Sequence, residues 1–253
     1  MKDTTFTLGG ILHALKGTKR QKTAALILAG GSGTRMGGAV TKQLMTLSGK
    51  SVVAHTLTAF EECPYVDEII VAAKKDEIPL YSELKEKYGI SKLKAVCEGG
   101  ADRQESAYRA FGLISDDMRF VAIHDAARCL ITPKQIERVI VEAFASNAAI
   151  AASPSKDTVK ITQNSKIVDT PDRKLVWNAS TPQVFKTELY RVCIYKAIED
   201  GVTATDDSAL AERLGFAVNV VDVGYENIKI TTPIDVLVAQ AILDKRKEDA
   251  KES

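Results

Sequence analysis

Five short apolar runs, separated by stretches of helical character, constrain this chain most. Ala24–Ala29 reads AALILA and Glu68–Ala73 reads EIIVAA; Leu93–Cys97, Phe120–Ile123 and Ala148–Ala152 continue the series. A strand with one face in water alternates apolar and polar residues, whereas a strand covered on both faces does not. Helices are expected between the runs, around Ser51–Glu61, near Tyr81–Tyr88 and over Gln104–Ile114. Strands buried on both faces and joined through helices predict a doubly wound, mostly parallel α/β sheet with right-handed crossovers.

Helix starts agree with this pattern. Thr132-Pro133-Lys134-Gln135 supplies a capping hydroxyl, a proline at the first helical position and a Gln three residues past the cap. Thr232-Pro233-Ile234-Asp235 repeats the arrangement before the last helix. Between Pro154 and Trp177 the pattern breaks into short β-like pieces, Val159–Ile161 and Lys166–Val168, which predict a β-hairpin arm leaving the sheet. With no internal repeat or low-complexity linker, residues 23–243 read as a single domain, and Asp244–Ser253 as a charged tail that frays.

The role of residues 1–22 is open. Their apolar patch (Ile11, Leu12, Ala14, Leu15) precedes their basic cluster (Lys16, Lys19, Arg20, Lys22), the reverse of a secretory signal, so a cytoplasmic location is expected. No apolar run reaches the roughly 18 residues a membrane span needs. Lys and Arg total 34 against 33 Asp and Glu, a net charge of +1. Gripping a phosphate backbone needs a cationic surplus, so nucleic acid is not an expected partner. Cys63, Cys97, Cys129 and Cys193 form no C-x-x-C pair, and with three histidines in the chain they argue against a zinc site or disulfide framework.

Four strings carry chemistry. The first run enters Ala29-Gly30-Gly31-Ser32-Gly33-Thr34-Arg35-Met36-Gly37. It lacks the Gly-Lys-Ser/Thr of a P-loop, and Met36 stands where a dinucleotide fingerprint needs glycine. What remains is a turn whose backbone N–H groups can approach phosphate, with cations at Arg35 and Lys42; the alternative is an ordinary tight turn with two solvated charges. Gly99-Gly100-Ala101-Asp102-Arg103-Gln104-Glu105-Ser106 ends the third strand, where α/β sheets bind ligands, or is a plain turn with Asp102 as helix cap. His124-Asp125 ends the fourth strand, where Asp125 can hold Mg²⁺ against nucleotide phosphates or simply cap the next segment. Glu226–Pro233 reads as a strand carrying Lys229, which meets an anionic substrate or faces water, and Thr205-Asp206-Asp207-Ser208 reads mainly as a helix start.

Taken in order, A-G-G-S-G-T-R-M with T-K-Q, G-G-A-D-R-Q-E-S, H-D-A-A-R, D-T-V-K, T-D-D-S and N-I-K-I-T-T-P resemble the 2-C-methyl-D-erythritol 4-phosphate cytidylyltransferases of isoprenoid precursor synthesis, over about residues 23–243. The resemblance implies a nucleotidyltransferase-like fold and an enzyme that joins CTP to the sugar phosphate with release of pyrophosphate, using Mg²⁺ or another divalent cation. It implies Arg35 and Lys42 as transition-state cations, and Arg173 and Lys229 as the groups that position the sugar phosphate. Ala29, Gly30, Gly31, Gly100, Arg103 and Ser106 would surround CTP, with Asp125 near the metal. Thr158 and Arg128 would complete the sugar-phosphate site from a neighbouring subunit through the arm, in a homodimer. Ala101 stands where some members carry Asp, and Thr41 and Cys129 replace common prolines. The sister ribitol-5-phosphate cytidylyltransferases share most of the strings, which keeps D-ribitol 5-phosphate as an alternative substrate; a non-catalytic nucleotide-binding regulatory module is an alternative of another class.

Overall fold

The computed structural model describes residues 21–31 and 41–252. Its strands are β1 (Thr23–Leu28), β2 (Thr46–Leu47), β3 (Lys50–Ser51), β4 (Glu68–Ala73), β5 (Leu93–Glu98), β6 (Phe120–Asp125), β7 (Ala148–Pro154), β8 (Ile161–Gln163), β9 (Lys166–Asp169), β10 (Trp177–Lys186) and β11 (Asn219–Asp222). Its helices are α1 (Val52–Glu62), α2 (Leu80–Tyr88), α3 (Arg103–Phe111), α4 (Pro133–Ser146), α5 (Thr187–Glu199), α6 (Asp207–Arg213) and α7 (Pro233–Glu252). Seven strands form one sheet in the order β11-β7-β10-β6-β1-β4-β5. All neighbours in it are parallel except β10, which runs antiparallel to β6 and β7.

The period of two along each strand sorts its side chains into two cores. Ala25, Ile27, Ile69 and Val71 pack on one face with Leu57 and Phe60 of α1 and Ile136 and Ile140 of α4. Leu26, Leu28, Ile70 and Ala72 pack on the other with Ala107 and Phe111 of α3 and Tyr190 and Ile194 of α5. Every residue of β1 and β4 is buried, which is why both runs read as continuous apolar sequence. Burying each Leu or Ile side chain contributes about 1.5–3 kcal/mol.

The Thr132 hydroxyl and Gln135 form the expected capping box of α4. The arm leaves the sheet where Pro154 pairs with Trp177; β8 and β9 pair antiparallel at its tip, across a turn in which Asn164 and Ser165 adopt φ of 50° and 62°. Three expectations change. Trp177–Lys186, which the sequence reading left without a strand, lies inside the sheet and bulges between Ala179 and Gln183. Residues 226–232, within the stretch read as a strand, form irregular chain: the Ile230 N–H bonds the Ala127 carbonyl, and no ladder partner lies beside the segment among the described residues. The charged tail does not fray at Asp244, because α7 continues to Glu252, where Arg246 anchors it to Glu226 and to the Leu130 carbonyl.

Candidate active site

Because β1, β5 and β6 run parallel, their carboxyl ends open on the same side, and a pocket of about 300 Å³ lies there. Gly30 and Gly31 after β1, Gly100, Arg103 and Ser106 after β5, Asp125 at the end of β6, and Lys42 and Lys229 line it. Ala29 stands just beneath, fully buried, its N–H bonded to the Ala72 carbonyl at 2.7 Å. Arg35 lies outside the described residues.

The turn after β5 is closed by its own side chains. Asp102 caps α3 by accepting from the Glu105 N–H at 2.8 Å, so its capping role and its place in the pocket wall are both realised. The Ser106 hydroxyl accepts from the Gly100 N–H at 2.9 Å and donates to the Asp102 carbonyl at 2.7 Å. Glu105 accepts from the Ala101 N–H at 2.7 Å, held in place by Arg109. A Cβ on Gly100 would fall 2.4 Å from Glu105 Cβ, which is why glycine stands there.

Asp125 is the electrostatic centre. Its Oδ1 accepts from Arg103 Nε at 3.0 Å and its Oδ2 from Lys229 Nζ at 2.7 Å, with Arg128 Nε 3.8 Å from Oδ2. Burial alone would raise the Asp125 carboxyl, but Arg103 and Lys229 beside it hold it well below the usual carboxylate range. Arg103 also donates from Nη1 to Asp207 Oδ2 at 2.6 Å, and Tyr190 donates to Asp207 Oδ1 at 2.8 Å. Sequence reasoning took Thr205–Ser208 as a helix start, and Asp206 does cap α6. It missed Asp207, 1% exposed, which orients Arg103. The available signal was a second acid where one cap suffices.

Other expected residues lie elsewhere. Arg128 was expected from a neighbouring subunit, yet it sits beside the Asp125 of its own chain, three residues further along the same loop, and donates to the Asn227 carbonyl at 2.9 Å. Arg173 and Thr158 are exposed on the arm, with Arg173 donating to the Lys156 carbonyl at 3.1 Å. Neither is among the described residues that line the pocket. Cys129 packs with Leu47, Val52 and Ile230 beneath α7.

His124 is fully buried, its ring tilted against Phe60 with centroids 4.9 Å apart, and burial pushes its pKa down to about 3. It is therefore neutral in the folded protein. Below about pH 6.5 the unfolded chain takes up a proton that the folded chain refuses, so stability falls as pH drops toward 3, by at most about 1.4 kcal/mol per pH unit. His55, half-buried and shifted the same way, adds to the slope. Denaturant titrations between pH 7 and 5 are expected to show this loss, and His124→Phe to make it shallower; an unchanged slope would mean that His124 titrates normally.

The comparisons with known proteins bear on this pocket. The model of the family IspD: 2-C-methyl-D-erythritol 4-phosphate cytidylyltransferase matches residues 23–245. This chain belongs to that family. A relative of that name from Alkaliphilus oremlandii is 42% identical over 229 residues, covering 90% of this chain and 97% of the relative. Among solved structures, 4-diphosphocytidyl-2C-methyl-D-erythritol synthase from Anaerococcus prevotii superposes with a TM-score of 0.79 at 30% identity, over 89% of this chain and all of that one. The 2-C-methyl-D-erythritol 4-phosphate cytidylyltransferase of Thermus thermophilus gives 0.72 at 29% identity, over 88% of this chain and 98% of that one. Membership in the IspD family makes the fold nucleotidyltransferase-like and the chain a cytidylyltransferase.

Proposed function

We propose that this protein joins CTP and 2-C-methyl-D-erythritol 4-phosphate to give 4-diphosphocytidyl-2-C-methyl-D-erythritol and pyrophosphate, a step of non-mevalonate isoprenoid precursor synthesis in the cytoplasm. The observation that carries the reading is the convergence of Lys42, Arg103 and Lys229 on one pocket at the strand ends, where they outnumber Asp102 and Asp125. The relatives quoted are named for the methylerythritol substrate, which favours that polyol over ribitol 5-phosphate. No helix among the described residues is long and apolar enough to cross a membrane.

An oxygen of the sugar phosphate attacks the α-phosphorus of CTP; the new P–O bond forms as the α–β bridge breaks and pyrophosphate leaves. A phosphate monoester is largely dianionic near neutrality, its second pKa being about 6, so no general base is needed. The work is electrostatic: two anions are brought together and the charge developing on the α-phosphate is stabilised. Lys42 and Arg35 supply that stabilisation, Gly30, Gly31, Gly100, Arg103 and Ser106 hold the nucleotide, and Lys229 and Arg128 meet the sugar phosphate.

Among the described residues no group of three or more His, Cys, Asp or Glu side chains forms a metal cage. Mg²⁺ needs only one or two carboxylates when phosphates supply its other ligands. Each Asp125 oxygen accepts one of the bonds described and has acceptor capacity left, so Asp125 fits as the protein ligand. Bound there, the ion would neutralise triphosphate charge.

Arg173 and Thr158 complete the sugar-phosphate site by crossing from the arm of a second subunit. The arm exposes Ile161, Ile167, Val168, Leu175 (80% exposed) and Trp177, and a hairpin of this size needs a partner to cover it. Light scattering is expected to show a dimer at assay concentrations; an active monomer would refute the shared site. Arg173→Ala and Lys229→Ala should each raise KM for the sugar phosphate by about tenfold or more and leave KM for CTP nearly unchanged. Arg173→Lys should also be damaging, because the planar fork is lost while the charge remains. Combining the two alanines should be less than multiplicative, since both residues orient one phosphate. The substrate assignment itself is tested by pyrophosphate release from CTP with each polyol phosphate: methylerythritol phosphate is expected to support turnover, and turnover with ribitol phosphate alone would overturn the reading.

A further inference from the structure

Four hydrogen bonds close a ring beside the pocket. Asn227 Nδ2 donates to the Thr181 carbonyl at 2.8 Å, and the Thr181 hydroxyl donates to His124 Nδ1 at 3.0 Å. His124 Nε2 donates to the Arg128 carbonyl at 3.2 Å, and Arg128 Nη1 returns to the Asn227 carbonyl at 2.9 Å. A carbonyl only accepts, so the proton of the neutral imidazole sits on Nε2 and the directions around the ring follow. The Thr181 hydroxyl also accepts from the Asp125 N–H at 3.1 Å, which fastens the ring to the central carboxylate. His124, Thr181 and Asn227 are 0%, 4% and 5% exposed.

The ring ties the irregular chain at 226–232, which pairs with no strand among the described residues, to the end of β6 and the bulge in β10, just beyond the point where the β6–β10 ladder reaches Ile123 and Gln183. That irregular segment carries Lys229 two residues past Asn227, and Lys229 Nζ reaches Asp125 Oδ2 at 2.7 Å. In a strand, cross-strand pairing would fix the position of such a lysine. Here Asn227 is bonded to the β10 bulge and to Arg128, and the Ile230 N–H adds a backbone tie to the Ala127 carbonyl.

We propose that His124 and Asn227 are positioning residues, and that through this ring they hold Lys229 and Arg128 against Asp125 and so set sugar-phosphate binding without touching the substrate. The inference deepens the proposed function and rests on it for the identity of that substrate. His124 and Asn227 share no bond and stand on opposite sides of the ring. Coupling between them is therefore the signature of the ring acting as one device.

The test is a double-mutant cycle of His124→Phe and Asn227→Ala, with KM and kcat measured for both substrates and Tm recorded. Removing a buried partner is expected to raise KM for the sugar phosphate on the order of tenfold in each single variant, with KM for CTP within about twofold of wild type. The double variant should be little worse than the worse single. His124→Gln, whose amide offers both a donor and an acceptor, should recover most of the loss. Multiplicative effects in the double, or a lowered Tm with an unchanged KM, would overturn the proposal. If wild type turns over ribitol phosphate instead, the substrate assignment fails and the same cycle run with ribitol phosphate still decides the ring. A ¹⁵N spectrum gives a readout independent of turnover: wild type should show His124 as the Nε2–H tautomer, and Asn227→Ala should shift its ring nitrogens. A resonance indifferent to Asn227→Ala would also overturn the proposal.

Discussion

Lys42→Ala and Arg35→Ala are each expected to lower kcat by about 10²–10³ while leaving CTP binding nearly intact. That range is the usual cost of removing one preorganised donor from a developing anion. Lys42 lines the same pocket as the glycine turn after β1, where an α-phosphate held by Gly30 and Gly31 would gain charge as pyrophosphate departs. An interaction that strengthens only in the transition state appears in kcat and not in ground-state affinity. Single-turnover rates at saturating CTP, beside equilibrium CTP binding, separate the two. A variant that binds CTP poorly but turns over normally would make its residue a nucleotide anchor.

Asp207→Ala carries the largest expected cost in stability. It removes one carboxylate that holds both Arg103 and the buried Tyr190 hydroxyl, leaving two donors without their partner. Breaking a buried ion pair from one side costs about 3–5 kcal/mol, and the lower figure applies because the Arg103 side chain is 27% exposed. For a chain of this size that lowers Tm by on the order of 10 °C. Arg103 would also lose its orientation toward Asp125, so KM for CTP should rise. Asp207→Asn keeps the shape and should fall between. A Tm within about 2 °C of wild type for Asp207→Ala would show that Arg103 is held by Asp125 alone.

The strands most legible in sequence are those whose two faces are both dry. β1, β4, β6 and β7 advertise themselves as apolar runs because helices cover the sheet from either side. β10 could not be read this way. Its buried half begins with Ser180, Thr181 and Gln183, polar residues that serve the site, so the strand looks like a loop until its partners are known. The segment around Lys229 failed in the opposite direction: Ile228 and Ile230 alternate like a strand, but their register comes from the loop after β6.

The site divides similarly. Asp125, Arg103 and Lys42 could be picked out because each follows a strand end in a string with few structural uses. Asp207, Thr181 and Asn227 could not, since their value lies in bonds to residues 104, 57 and 47 positions away along the chain. Local pattern carries no trace of such partners.

The most direct test of the central claim follows isotope rather than rate. Methylerythritol phosphate labelled with ¹⁸O in its phosphate is incubated with CTP and enzyme, and the products are read by ³¹P NMR. Attack of the sugar phosphate on the α-phosphorus predicts that all the label stays in the diphosphate product, part of it in the new bridge, and that pyrophosphate is unlabelled. Label in the pyrophosphate, or no diphosphate product at all, would contradict the account.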